Sequence, residues 1–490
     1  MLRDALARLG RHTLTYAAGG PLMYAVGFLL VPFYTHFLDK ADYGVNELLT
    51  QLIAVLSLVA GRNMAAGMTR LFFEQKTPRE QHAVITTTVL TVGAAATVLA
   101  AVLALAAPRV APLLVGDTAN GLLLFRITMA ILVLQTVRDL YFNYLQAQQR
   151  SALVTGLSVA KMALQLSLQI WLIAVKRRGL LGLFEGVLIG EAVSVALLSV
   201  ALLPTLGLQF SRPLFRQLVL FTLPLVPNGL FMFCLQAGDR FVLKGLADAE
   251  AVGLYGFSYK FGSIPMYFPL TPFLLVWFPY VFAIKDEDQR RALIGRVMPF
   301  FMLCVTAVVL GLALVSRELA HVMEGQPGYA ASWPVIPIVA AGYWFWSLFQ
   351  IVQTGFYVRK ITRHLPWLSG MAAAVNLAAN FLLIPRIGYL GAAWATLLTF
   401  VVLLVITVRV VRPVYDVAWP WRKTVAPALV GGAALAAGLL LSPDALVPAL
   451  AFKLGLFVAW VVWVWYGGFF GREDRAAALS SVRTPFQRGG

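Results

Sequence analysis

The chain has 490 residues, 60% of them hydrophobic and only 12% charged, whereas soluble domains carry about 25% charged residues. Its mean hydropathy is +0.79 and apolar segments recur from end to end, which excludes a soluble enzyme held by one anchor. The formal net charge of +17 would indicate nucleic acid if it were clustered on a soluble domain, but the basic residues are scattered through short loops; topology accounts for them, and no nucleic-acid partner is expected.

The N-terminus (MLRDALARLGRH) is basic, and a long apolar stretch follows without a small-residue cleavage site, so a retained first helix is expected rather than a signal peptide. A helix needs about 20 apolar residues to cross the hydrocarbon layer. On that criterion the predicted spans are 14–37, 44–69, 83–107, 122–146, 151–175, 179–203, 214–238, 252–283, 294–316, 335–358, 365–385, 389–411, 424–442 and 446–468. The expected class is all-α, a polytopic membrane protein of about fourteen transmembrane helices.

An even number of spans puts both termini on one side. That side holds 24 of the Lys and Arg residues and the opposite loops hold 9, so the positive-inside bias makes both termini cytoplasmic. No connecting loop is long enough for a soluble catalytic domain. Cys234 and Cys304 both fall in apolar segments and give neither a disulfide framework nor metal-ligand spacing. No cofactor and no enzymatic activity are expected.

A shift of 209 residues superposes landmarks without a gap: Gly20 on Gly229, Met23 on Met232, Gly44 on Gly253, Arg150 on Arg359, Met162 on Met371, Gly179 on Gly388 and Gly182 on Gly391. Six spans fall in each repeat, so the two would enter the membrane in the same orientation, as parallel repeats do. The expected organisation is a six-helix lobe over 1–210, a second over 211–412, and an addition of two helices and a tail over 413–490.

Six basic residues lie more than three residues inside predicted spans: Arg62, Arg126, Arg138, Lys161, Lys260 and Lys453. A cation at the bilayer centre costs about 2.5–3.5 kcal/mol on insertion scales, so these need water, acids or an anionic cargo. Helical spacing gives polar stripes of Glu47, Gln51 and Arg62, of Ser158, Lys161 and Gln165, and of Lys260, Ser263 and Tyr267. Asn228 and Asp239 are eleven residues apart, hence on one face, with Arg240 beside them. Arg126 and Lys453 are placed to snorkel to a head-group layer. Arg138 either faces a cavity or pairs with Glu185 or Glu191; Glu47, Glu185 and Glu191 are candidate sites for a coupling proton or sodium. Pro224 and Pro227, and then Pro265, Pro269, Pro272 and Pro279, should kink the seventh and eighth spans. The GGAALAAG run over 431–438 reads as close helix packing.

Three stretches carry a resemblance: LPLVPNGLFMFCLQAGDRFVLKGLADAEAVGLYGFSYKFG (223–262), VPFYTHFLDKADYGVNELL (31–49) and IPRIGYLGAAWATLLTF (384–400). Together they make the chain similar to the polysaccharide flippases of the multidrug/oligosaccharidyl-lipid/polysaccharide exporter superfamily. The resemblance implies a V-shaped pair of six-helix lobes around a cationic cavity in the bacterial cytoplasmic (inner) membrane. It implies the translocation of undecaprenyl-diphosphate-linked oligosaccharide for surface polysaccharide, with glycosyltransferase or polymerase partners. On that reading Arg62, Arg138, Lys161, Asn228, Asp239, Arg240 and Lys260 bind the lipid-linked oligosaccharide, Arg by its planar fork and Lys as a point charge. The alternatives are a cation-coupled drug or metabolite exporter, a membrane glycosyltransferase, and a non-transporting component of a synthesis complex.

Overall fold

The computed structural model describes residues 24–116, 120–361, 364–443, 445–467 and 469, and every regular element among them is helical. Eleven helices are long and apolar enough to cross a membrane, or thirteen when each of two bent pairs is taken as one span. The predicted first span, 14–37, lies partly outside the described residues; Tyr24–Phe37 is its described portion. The surface is apolar, with Leu105, Val200 and Leu440 each more than three-quarters exposed, as a lipid-facing surface requires. Buried threonine hydroxyls along the helices donate to the carbonyl four residues back, as Thr88, Thr128 and Thr136 do, which satisfies them without a partner helix.

The predicted second span is two helices, Lys40–Val59 and Met64–Glu74, bent by 43°. No proline lies at the bend. Gly61 adopts φ +103°, the Arg62 amide donates to Ser57 O at 2.9 Å, and the Gly61 amide donates to Leu58 O at 3.2 Å. This pair of bonds is the Schellman stop, which favours glycine at its left-handed position. Arg62 is therefore the residue just past a helix end rather than one inside a continuous helix.

The seventh span is likewise Arg212–Thr222 followed by Leu225–Leu246, bent by 48° where Pro224 removes a helical donor. A π turn over Cys234–Gly238 follows. The predicted 252–283 span is broken between Ala249–Gly262 and a second segment beginning at Met266, at Ser263–Pro265.

The apolar cores group along the chain. One joins Leu38 through Phe184, and a second joins Met68 through Leu206. A third runs from Leu235 to Val417, with Leu48 reaching into it. The Trp421–Leu440 and Leu446–Tyr466 helices pack on Glu287–Leu314 through Leu310, Leu314 and Trp460. In the glycine-rich run Gly431 faces Leu310 and Trp460, and Gly438 faces Leu314; Gly432 faces open space.

Positions 209 apart adopt matching local structure. Asp39 and Asp248 each cap a helix by accepting from the amide three residues on. Gly179 and Gly388 both take left-handed φ, +51° and +59°. Gly44 and Gly253 meet where the Lys40–Val59 and Ala249–Gly262 helices cross, and each faces the other's backbone amide. Lys40 and Glu250 add an ion pair at 3.1 Å. This end of the bundle is covered further by the 324–330 segment, whose Tyr329 hydroxyl donates to Leu38 O at 3.1 Å and whose Gly325 amide donates to Thr35 Oγ1 at 2.8 Å.

A candidate cationic cavity between the two halves

Beyond the Gly44–Gly253 crossing, the two halves diverge around a cavity of about 370 Å³, within the range of ligand pockets. Gln51, Ala54, Leu58 and Arg62 form one wall; Gly229, Gln236, Arg240, Tyr259, Tyr267 and Tyr343 form the other. The helix stop at Gly61 puts Arg62 on this wall with its side chain half exposed and Asp139 Oδ2 3.9 Å from Nε.

Arg240 is buried and closely held. Its Nη1 donates to Asp239 Oδ1 at 3.0 Å and to Gln236 O at 3.1 Å, and its Nε lies 3.5 Å from Glu47 Oε2. The guanidinium stacks 4.3 Å from the Tyr259 ring centroid, a cation–π contact strengthened by desolvation. Asp239 accepts in addition from the Tyr255 hydroxyl, from Thr396 Oγ1 and from the Arg240 amide. Tyr259 and Tyr343 hydroxyls pair at 2.8 Å. Lys260 lies one turn past Gly256, against which the Glu47 side chain packs; it is half-buried, off the cavity wall, and in no ion pair with a described residue.

Arg138 and Lys161 are placed differently. Both converge on Glu191 Oε1, Lys161 Nζ at 2.6 Å, and Arg138 Nη2 also reaches Asp139 Oδ1 at 2.7 Å. They form a buried web inside the first half rather than part of the cavity wall. Arg62 is the web's outer member through Asp139. Three cations against two carboxylates leave one positive charge in surplus, and Arg62 is its most exposed carrier.

Asn228 does not share Asp239's surroundings. The π turn between them breaks the ideal spacing; Asn228 lies beside Gly229, which faces Asn63, and its Oδ1 is buried without a hydrogen-bond partner. Of the three acids expected as coupling sites, Glu47 and Glu191 face the cations above, and Glu185 pairs with Arg178 at 2.7 Å. Lys453 does not snorkel: it is 3% exposed and ends on Glu318 Oε1 at 2.6 Å, a partner 135 residues away. Among the described residues no group of three or more His, Cys, Asp or Glu side chains could hold a metal.

Tyr343, Thr396 and the buried ladder of Asn376, Asn380 and Thr399 lie outside the polar stripes read from the sequence. In that ladder Asn380 donates to Asn376, Asn376 donates to Thr399, and Asn380 Oδ1 is left without a donor. Two buried amides at i and i+4 in an apolar span were the available signal.

Residues 34–329 match the family of polysaccharide biosynthesis proteins. The chain belongs to that family. No curated protein matches it in sequence. Among solved structures, the lipid II flippase MurJ in an inward closed conformation superposes with a TM-score of 0.74, covering 91% of this chain and 99% of that one at 11% identity. An inward-facing multidrug resistance MATE transporter of the MOP superfamily gives 0.66, covering 82% of this chain and 97% of that one, also at 11% identity. A MOP superfamily transporter from Pyrococcus furiosus, described as having a binding pocket of reverse polarity, gives 0.53 over 83% of this chain and 95% of that one at 11% identity. The fold is the one common to these structures, and the protein is a multi-pass membrane member of the polysaccharide biosynthesis family.

Proposed function

We propose that this polysaccharide biosynthesis protein is a flippase that carries an undecaprenyl-diphosphate-linked oligosaccharide from the inner to the outer leaflet of the cytoplasmic membrane. The observation that carries the reading is the wall between the two halves, with Arg62 half exposed and Arg240 set among tyrosines. A diphosphate crossing a low-dielectric slab needs positive charge along its route, and a guanidinium offers a fork that fits phosphate oxygens. Tyr259, Tyr267 and Tyr343 give the wall an aromatic lining beside the charge, and the polyprenyl tail stays in lipid. Arg138, which shares Glu191 with Lys161, then acts behind the wall, holding Asp139 so that it orients Arg62 without fully neutralising it.

The matched caps, the matched left-handed glycines and the Gly44–Gly253 crossing support two lobes over 1–210 and 211–412 related by a pseudo-two-fold axis along the membrane normal, with 413–490 added outside. The Lys and Arg bias supports cytoplasmic termini. An exporter of cationic drugs on the same fold would want a free carboxylate at the cavity. Asp239 and Glu47 instead lie off the cavity wall, held near Arg240, whereas Arg62 lines it half exposed, which favours the anionic cargo.

The test is reconstitution of the purified chain in liposomes with a labelled polyprenyl-diphosphate oligosaccharide in the inner leaflet. Protein-dependent appearance of label in the outer leaflet, reduced by Arg62→Ala, is expected. Equal rates with and without protein refute the proposal.

A further inference from the structure

A second polar cavity lies outside the one described above, at the end of the bundle that carries Lys40 and Glu250. It measures about 360 Å³ and sits between the Ser316–Met323 helix and the hairpin joining Trp421–Leu440 to Leu446–Tyr466. Arg317, Glu318, His321, Ser442 and Lys453 supply its polar lining. Its rim is apolar and exposed: Val322 at 70%, Leu439 at 44% and Leu446 at 56%. A polar lining beneath an apolar rim suits a ligand that has both a polar head and acyl chains.

The Lys453–Glu318 pair alone would staple the last hairpin, but two buried unmet groups and an exposed cation beside them go beyond a staple. Glu318 Oε2 and Ser442 Oγ are buried without hydrogen-bond partners, and Arg317 makes no ion pair with a described residue although it lines the same space. A buried unmet acceptor or donor is costly, so a ligand that supplies both functions is favoured. Arg317 and Lys453 want phosphate oxygens, Ser442 can donate to one, and Glu318 Oε2 accepts from an ammonium or hydroxyl one arm away.

We propose that this pocket binds the head group of a glycerophospholipid, a phosphodiester followed by an amine or hydroxyl, in the leaflet at the Lys40 end of the bundle. The bound lipid would tie the added hairpin to the Ser316–Met323 helix. The occupant is a resident lipid, distinct from the cargo.

The test is native mass spectrometry of the full chain purified in mild detergent, titrated with phosphatidylethanolamine or phosphatidylglycerol. Arg317→Gln and Ser442→Ala are the test variants, and Arg386→Gln, an exposed cation elsewhere, is the control. Arg317 is exposed, so its replacement should leave thermal unfolding unchanged, while Ser442→Ala keeps the charges. We expect one tightly retained phospholipid in the wild type and the control, with affinity reduced roughly tenfold in each test variant. Equal retention in all four proteins overturns the proposal. Displacement of the lipid by soluble glycerol phosphate also overturns it, because the site would then belong to a water-borne anion.

Discussion

The crossing of Gly44 and Gly253 offers a direct perturbation of the closed end. A Cβ added to Gly44 would lie 2.8 Å from the Gly253 amide nitrogen and nearer still to Ala249 O; one added to Gly253 would lie 3.0 Å from the Gly44 nitrogen and nearer still to Lys40 O. Unstrained C–O contacts are about 3.3–3.6 Å even when attractive, so either alanine forces these helices apart. Overpacking of this kind costs about 1–3 kcal/mol, which shifts an equilibrium between closed and open forms of this end about 5- to 150-fold. The assay places a cysteine at Gln51 on the cavity wall, with Cys234 and Cys304 replaced by alanine, and applies a membrane-impermeant maleimide from the side carrying Lys40. Gly44→Ala and Gly253→Ala should each raise the labelling rate within that range, and to similar extents, because the contact is reciprocal. Unchanged labelling in folded protein would falsify the expectation that this crossing limits access to the cavity from the Lys40 end.

Three further outcomes follow from the buried polar groups and the helix stop. Glu191→Gln leaves Arg138 and Lys161 facing each other without their shared anion, and should destabilise the protein in detergent by about 3–5 kcal/mol, the range for a broken buried pair; thermal unfolding measures it. Gly61→Ala forces a left-handed φ on an L-residue and should cost about 1–2 kcal/mol, read the same way, with a smaller loss in Gly61→Asn if the left-handed geometry is the cause. Tyr255→Phe removes a buried donor to Asp239 and should cost about 1–3 kcal/mol; no change in stability would mean that the remaining donors satisfy Asp239 alone.

Much of the fold was legible because each span is a long apolar run, and the break beside Pro265 was legible because proline removes a donor. The bend at Gly61 was not foreseen, since an apolar run continues on both sides of Gly61–Asn63, and only the Schellman bonds reveal a helix end there. Glycine spacing at offset 209 exposed Gly44 and Gly253 as counterparts, but their mutual contact is tertiary. The deep cations were visible as a class and Glu191 as a possible partner of Arg138, which it is, whereas the other partners were not: Lys161 meets Glu191 across 30 residues and Lys453 meets Glu318 across 135. Periodicity within one helix cannot choose between a cavity and an acid on the next helix. It therefore separated neither Arg62 from Arg138 and Lys161 nor Asn228 from Asp239, where a π turn resets the register.

The central claim is that the cavity's positive charge carries a lipid diphosphate across the membrane. Leaflet-resolved measurement of the lipid-linked oligosaccharide in a deletion strain tests it most directly, with wild type, Arg62→Lys and Arg62→Ala returned in turn and no redundant flippase present. Charge-assisted hydrogen bonds contribute about 1.5–3 kcal/mol, so Arg62→Ala should slow arrival in the outer leaflet by roughly tenfold or more, with Arg62→Lys intermediate and all variants inserted normally. The deletion should trap the sugar-loaded lipid in the cytoplasmic leaflet. Arrival at the normal rate in the deletion strain would contradict the account.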